Sequence, residues 1–387
     1  MRRILIWGGR IVAGLALTAL LVGLWKREAI VRLWAVNTLF DESRIVENFS
    51  AMDRAFLSVP VPRGDGPVTP LPPRRPADMP DGFDAWLDAR NVTGIVVLKD
   101  GTVVHEDYRL GTRAEDRRIS WSIAKSFLSA LLGVLLEEGA IASLDAPVTD
   151  YAPGLAGTAY DGARLRDVLQ MASGVVFDED YLDPNSDINR MGRVLALGGS
   201  MDGFAAALRD SFAAPGTEWR YVSIDTHVIG MVIRGATGRS IPELLSEKIV
   251  APMGLDSEPY YLTDGEGTAF VLGGLNMTTR DYARLGLLYA RDGRLGGRQI
   301  VPEGWVRAST AASAPTDPGE IGYGFHWWVP LGAAEGEFMA RGIYGQYVWV
   351  DRTRGVVVAV NAADRRFRDP GVHESNVAMF RAIAAAL

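Results

Sequence analysis

The stretch Ser120-Trp121-Ser122-Ile123-Ala124-Lys125-Ser126-Phe127 opens an apolar run that restricts the fold more than any other part of the chain. The residues that continue it, Phe127-Leu128-Ser129-Ala130-Leu131-Leu132-Gly133-Val134-Leu135-Leu136, are apolar almost all round. A helix of that kind is buried on every side rather than along one stripe. It stops at Glu137-Glu138-Gly139, with glycine where a helix C-terminus favours it. Residues three apart in a helix share a face, about 5–6 Å from each other. Ser122 and Lys125 therefore present a hydroxyl and an amine together at the start of a core helix.

That pair has a chemical use. A serine hydroxyl is a weak nucleophile and needs an adjacent base to take its proton. Burial disfavours the charged form of lysine and lowers its pKa from about 10.4 towards neutrality. Arginine stays protonated and cannot serve. Of the 40 Lys and Arg residues only four are lysines (Lys26, Lys99, Lys125, Lys248), and Lys125 is the one set in an apolar stretch. A plain helix-capping serine followed by a snorkelling lysine fits the same residues.

At 387 residues the chain suits one large domain or two closely joined ones. Nearly half of its residues are apolar, which allows a sizeable core. The net charge of −7 comes with no basic stripe, which excludes nucleic-acid binding. Without cysteine there is no disulfide, thiolate metal site or cysteine nucleophile. His105, His227, His326 and His373 are scattered without ligand spacing, so neither a metal nor another cofactor is expected. A Ser-His-Asp hydrolase would want Gly-x-Ser-x-Gly at a strand-to-helix elbow, and the pattern is absent.

Residues 1–25 carry no charge beyond Arg2, Arg3 and Arg10 and read as a transmembrane anchor or a signal segment. Either reading puts the remainder outside the cytoplasm, at an inner membrane facing the periplasm or exported after cleavage; a buried helix of a cytosolic protein is the alternative. Residues 26–58 have mixed periodicity and read as a membrane-proximal helical segment. Residues 59–80 carry Pro60, Pro62, Pro67, Pro70, Pro72, Pro73, Pro76 and Pro80, which makes them a stiff linker or an arm laid over the domain surface. The folded domain is expected at 81–387. Val92–Lys99 and Thr102–Tyr108 read as strands joined by an Asp100-Gly101 hairpin turn. A helical subdomain spans about 140–275, and residues 279–292 form an amphipathic helix. Strands follow at 323–329, 343–350 and 356–360, then a helix at 372–387. The fold class is α+β: an antiparallel sheet built from N- and C-terminal segments, flanked by helices, with an inserted, mostly helical subdomain.

With Ser122-Ile-Ala-Lys125 placed, three later stretches fall into line, and together they resemble the serine beta-lactamase and penicillin-binding superfamily in its class C-like branch. That branch also holds carboxylesterases and 6-aminohexanoate-dimer hydrolases. Tyr221-Val222-Ser223 matches the second motif at its tyrosine. Gly273-Gly274-Leu275-Asn276-Met277-Thr278-Thr279 resembles a stretch common in the branch, and Ala340-Arg341-Gly342 stands where the third motif belongs, on a strand. Two departures matter. Ser223 replaces the usual Asn, and Ala340-Arg341 replaces the Lys-Thr that helps hold a drug carboxylate, which argues against efficient beta-lactam hydrolysis.

The resemblance implies a serine hydrolase that cleaves a small-molecule amide or ester through an acyl-serine. Ser122 is the nucleophile, Lys125 the base and Tyr221 the proton donor. The backbone N–H groups of Ser122 and Ile343 form the oxyanion hole. Tyr181 and Trp327 are candidate pocket residues. Alternatives are a D-amino-acid peptidase or weak beta-lactamase near the cell wall and, in another class, a non-catalytic binding or sensor protein of the same fold.

Overall fold

A computed structural model describes residues 2–73 and 75–387, leaving Met1, Arg74 and the side chains of residues 2–5 outside the description. Helix α1 (Arg2–Trp25) is long and apolar enough to cross a membrane, and no part of Ile6–Trp25 is buried against the rest of the chain. Helix α2 (Arg27–Asn37) follows at once, then strand β1 (Ser58–Pro60). The hairpin β2 (Val92–Lys99) and β3 (Thr102–Tyr108) leads through a short β4 (Arg118–Ile119) into α3 (Ile123–Glu137). The inserted region carries α4 (Asp187–Leu197) and α5 (Ser223–Thr237), and closes with β5 (Tyr260–Leu262) and β6 (Leu275–Met277). Helix α6 (Thr279–Ala290) and a small hairpin, β7 (Arg294–Leu295) with β8 (Arg298–Gln299), come next. The C-terminal part supplies β9 (Gly322–Tyr323), β10 (Trp328–Val329), β11 (Glu337–Gly342), β12 (Gln346–Asp351), β13 (Val356–Ala362) and α7 (Val372–Ala386).

The main sheet has seven antiparallel strands in the order β3-β2-β13-β12-β11-β10-β9, so its two halves come from opposite ends of the domain, as the α+β reading expects. Both faces are covered. Val348, Val350, Val357 and Ala359 point into the core shared with α3 and α6, while Tyr347, Trp349, Val356 and Val358 point into a second core under α7. Alternation along β12 and β13 thus buries every position, which is why they read as largely apolar runs.

A second sheet, in the order β1-β5-β6-β4, joins the N-terminal region to the strand that runs into Ser122. Ile119 N–H donates to Phe49 O (3.0 Å) and Ser120 N–H to Leu275 O (2.8 Å). The folded body therefore begins well before Asp81. The proline-rich residues are an arm rather than a spacer: Val61 and Leu71 are buried, and Val103 N–H donates to Pro72 O (2.9 Å). The Arg284 guanidinium donates to Thr69 O (2.9 Å). Prolines keep such a segment extended, and the carbonyls they retain still accept bonds. Residues 343–345 also differ from expectation, forming a tight turn with Tyr344 at φ 59° ahead of β12.

Candidate active site

Trp121 sits at φ 43°, in the left-handed region, where a bulky residue costs about 1–3 kcal/mol. The ring is held by Phe49 (centroids 5.5 Å apart) and Phe40 (5.8 Å). This turn swings the chain from β4 into α3 and leaves Ser122 at the helix N-terminus, where a backbone N–H has no partner within the helix.

Lys125, one turn on, is 1% exposed. The Nζ lies 2.9 Å from Ser122 Oγ and donates to Leu272 O at 2.7 Å. Loss of water on burial pushes the pKa down to about 7, against a smaller upward pull from the Glu179 carboxylate. A neutral amine in this position donates to Leu272 and offers its lone pair to the serine proton.

Tyr221 closes the third side. The ring lies 5.3 Å from Lys125 Nζ and stacks on Trp328 (5.2 Å, 28° between planes). Burial and the Glu179 carboxylate raise the phenol well above its usual range, while the nearby Ser122 hydroxyl and the Arg341 charge act the other way. The phenol therefore keeps its proton when the amine has shed its own. Burial thus favours the neutral form of both groups.

Ile343 follows Gly342, and a Cβ placed on Gly342 would stand 3.1 Å from Ser122 N. The end of β11 thus presses directly against the Ser122 amide. Ser122 and Ile343 line the same cleft as Tyr181, Tyr221, Trp328 and Arg341.

A family profile described as Beta-lactamase matches residues 83–378. The chain belongs to the beta-lactamase family. A 6-aminohexanoate-dimer hydrolase of Paenarthrobacter ureafaciens is 32% identical over 330 residues, 81% of each chain. Among solved structures, a Bacillus anthracis protein provisionally assigned as a 6-aminohexanoate-dimer hydrolase superposes with a TM-score of 0.77 at 24% identity, over 89% of this chain and 95% of its own. A family VIII carboxylesterase superposes at 0.60 and 18% identity, over 79% and 96%. The protein is a serine hydrolase of the beta-lactamase family.

Within this beta-lactamase-family hydrolase, Tyr181 reaches the cleft and donates to Glu179 Oε2 (2.7 Å). Trp327 does not reach it. The Trp327 ring is fully buried against Tyr289 (4.3 Å) and Phe338 (5.3 Å). Neighbouring residues of an extended chain face opposite sides, and the next residue, Trp328, takes the cleft side. Glu179 was not among the sequence candidates. Its carboxylate accepts from the Ser223 N–H and the Tyr181 hydroxyl and stands close enough to Lys125 to pull its pKa upward; burial raises its own pKa. Lying two residues before Tyr181 and within no recognisable motif, it carried no signal beyond its charge.

Proposed function

We propose that the protein hydrolyses an amide or ester of a small molecule by acyl transfer through Ser122. The observation that carries this reading is the 2.9 Å approach of a buried, near-neutral Lys125 amine to Ser122 Oγ. Ser122 Oγ attacks the carbonyl carbon as its proton passes to Lys125 Nζ. The carbonyl oxygen becomes an oxyanion held by the N–H groups of Ser122 and Ile343. On collapse the carbon–heteroatom bond breaks, the leaving amine or alkoxide takes the Tyr221 proton, and Lys125 returns its proton to Tyr221. Water then attacks the acyl-serine with the same groups in reverse order, releasing the acid and restoring the hydroxyl.

The Paenarthrobacter relative is a hydrolase of 6-aminohexanoate dimers. Arg341 supplies a cation at the position of the third motif. Helix α1 serves as a membrane anchor or export signal, placing the catalytic domain outside the cytoplasm.

The test is labelling of the full chain with a fluorophosphonate. One adduct is expected, on the tryptic peptide containing Ser122; an unlabelled protein or an adduct elsewhere refutes the reading. The pH dependence gives a second check. Because the amine is the active form, kcat/KM should rise through about pH 7 as Lys125 loses its proton. Glu179→Gln removes the carboxylate that holds the Lys125 pKa up, so the rising limb should move to lower pH. A limb that stays put would show that Glu179 does not act on the base.

A further inference from the structure

Ser122 stands where two lobes of the cleft meet, and they differ in chemistry. One is lined by Glu179, Tyr221, Arg341 and Arg368; the other by Leu39, Phe40, Met52, Ile188, Met191 and Phe270 among others, with no charged side chain. The apolar lobe encloses a cavity of about 100 Å³. The acyl-transfer reading orients a substrate between them. Tyr221, the proton donor to the leaving group, lines only the polar lobe, so the leaving group lies there and the acyl group extends into the apolar one.

The outer wall of that apolar lobe is the segment that directly follows α1 and α2. Val36 lines it from the last turn of α2. Helix α2 starts two residues after α1 ends at Trp25, so Val36 follows closely on the apolar helix in the chain. The wall is built in. Phe40 stacks on Tyr344 (4.8 Å, 14°), Arg118 Nη1 donates to Val46 O (2.6 Å), and Asn48 Nδ2 donates to Leu39 O (3.0 Å). On the outside of the same helix Ile30, Val31 and Trp34 are exposed.

We infer that the substrate is an amphiphile whose extended apolar acyl chain lies in the lobe walled by residues 36–56, with its polar leaving group against Arg341. This rests on the acyl-transfer reading and adds the substrate class to it. An apolar chain gains with each methylene buried, whereas an acetyl group fills none of the space.

The experiment compares kcat/KM for p-nitrophenyl decanoate and p-nitrophenyl acetate, using the full chain in phosphatidylcholine nanodiscs. The decanoate should be favoured by at least about tenfold. Gly192 lines the lobe from α4, and a Cβ there meets nothing within 4 Å. Gly192→Phe therefore fills open space without a clash at Cβ, and the decanoate-to-acetate ratio should fall by about tenfold. Both rates come from one sample, so partial misfolding lowers both and leaves the ratio unchanged. A wild-type ratio at or below unity overturns the inference, as does a ratio that Gly192→Phe leaves alone. If neither ester is cleaved and no fluorophosphonate adduct forms, the acyl-transfer reading itself fails. Decanoate supplied in vesicles and as aqueous monomer separates the sources: faster cleavage from vesicles assigns a membrane amphiphile, equal rates a free one, and both keep the acyl-chain assignment.

Discussion

Lys125→Arg is expected to lower kcat/KM by about four orders of magnitude or more, the scale seen when one member of a nucleophile–base pair is removed. The substitution keeps a positive charge and a long side chain, so a role confined to charge or packing would survive it in part. A role as base would not. The proposed role of Lys125 rests on burial, which pulls its pKa down to about 7, and a guanidinium stays protonated even where water has been stripped away. The larger head also has to displace the contact with Leu272 O, so thermal melting should accompany the kinetics to show that the fold is kept. The residual activity should lose the rise through about pH 7, because the group responsible for it is gone. Turnover within about tenfold of wild type would refute the assignment of Lys125 as base.

The buried helix and the pair at its head were legible because both are local. The period of the apolar residues, the glycine stop and the three-residue spacing need no knowledge of distant chain, and α3 runs Ile123–Glu137 with Lys125 buried. The β2–β3 hairpin was legible for the same reason, since Asp100-Gly101 encodes its own turn. Tyr221 came from resemblance; nothing in its own neighbourhood marks it as more than a core tyrosine.

What escaped depends on tertiary contacts. Leu39, Phe40 and Met52 have the same apolar character whether they face lipid, a neighbouring helix or a substrate cleft. Only the pairing of β1 with β5 and of Phe49 O with Ile119 N–H turns their segment into a wall of the site. Glu179 was hidden in the same way, as an acidic residue in an acidic loop until the chain folded it against Ser223. The choice between Trp327 and Trp328 was open to sequence reasoning in principle, since an extended chain sends neighbours to opposite faces. Choosing the correct one needs a register that only β9 and β11 supply.

Gly342→Ala is expected to reduce kcat by about 10²–10³, the cost of disabling one oxyanion-hole donor. Backbone conformation is not what requires glycine here: φ is -127° and ψ 161°, ordinary extended values open to any residue. Space is what requires it. A methyl group would stand 2.7 Å from Ser120 O and 3.1 Å from both Ser122 N and Gln346 Cβ, and the closest of these is backbone that cannot swing aside. The end of β11 must then retreat from the turn that precedes α3. Ile343 N–H moves with it, and the gap between that donor and Ser122 N–H opens by tenths of an ångström, at the place where negative charge develops. The resulting loss falls on the transition state more than on bound substrate, so kcat should drop while KM changes little. Fluorophosphonate labelling should slow in parallel, because the phosphonyl oxygen uses the same donors. The strain of the added methyl should lower the melting temperature, while the rising limb near pH 7 should remain, since neither Lys125 nor its burial is disturbed. If Gly342→Ala turns over at the wild-type rate, Ile343 N–H is not a donor to the oxyanion, and the second donor has to be sought elsewhere around the cleft.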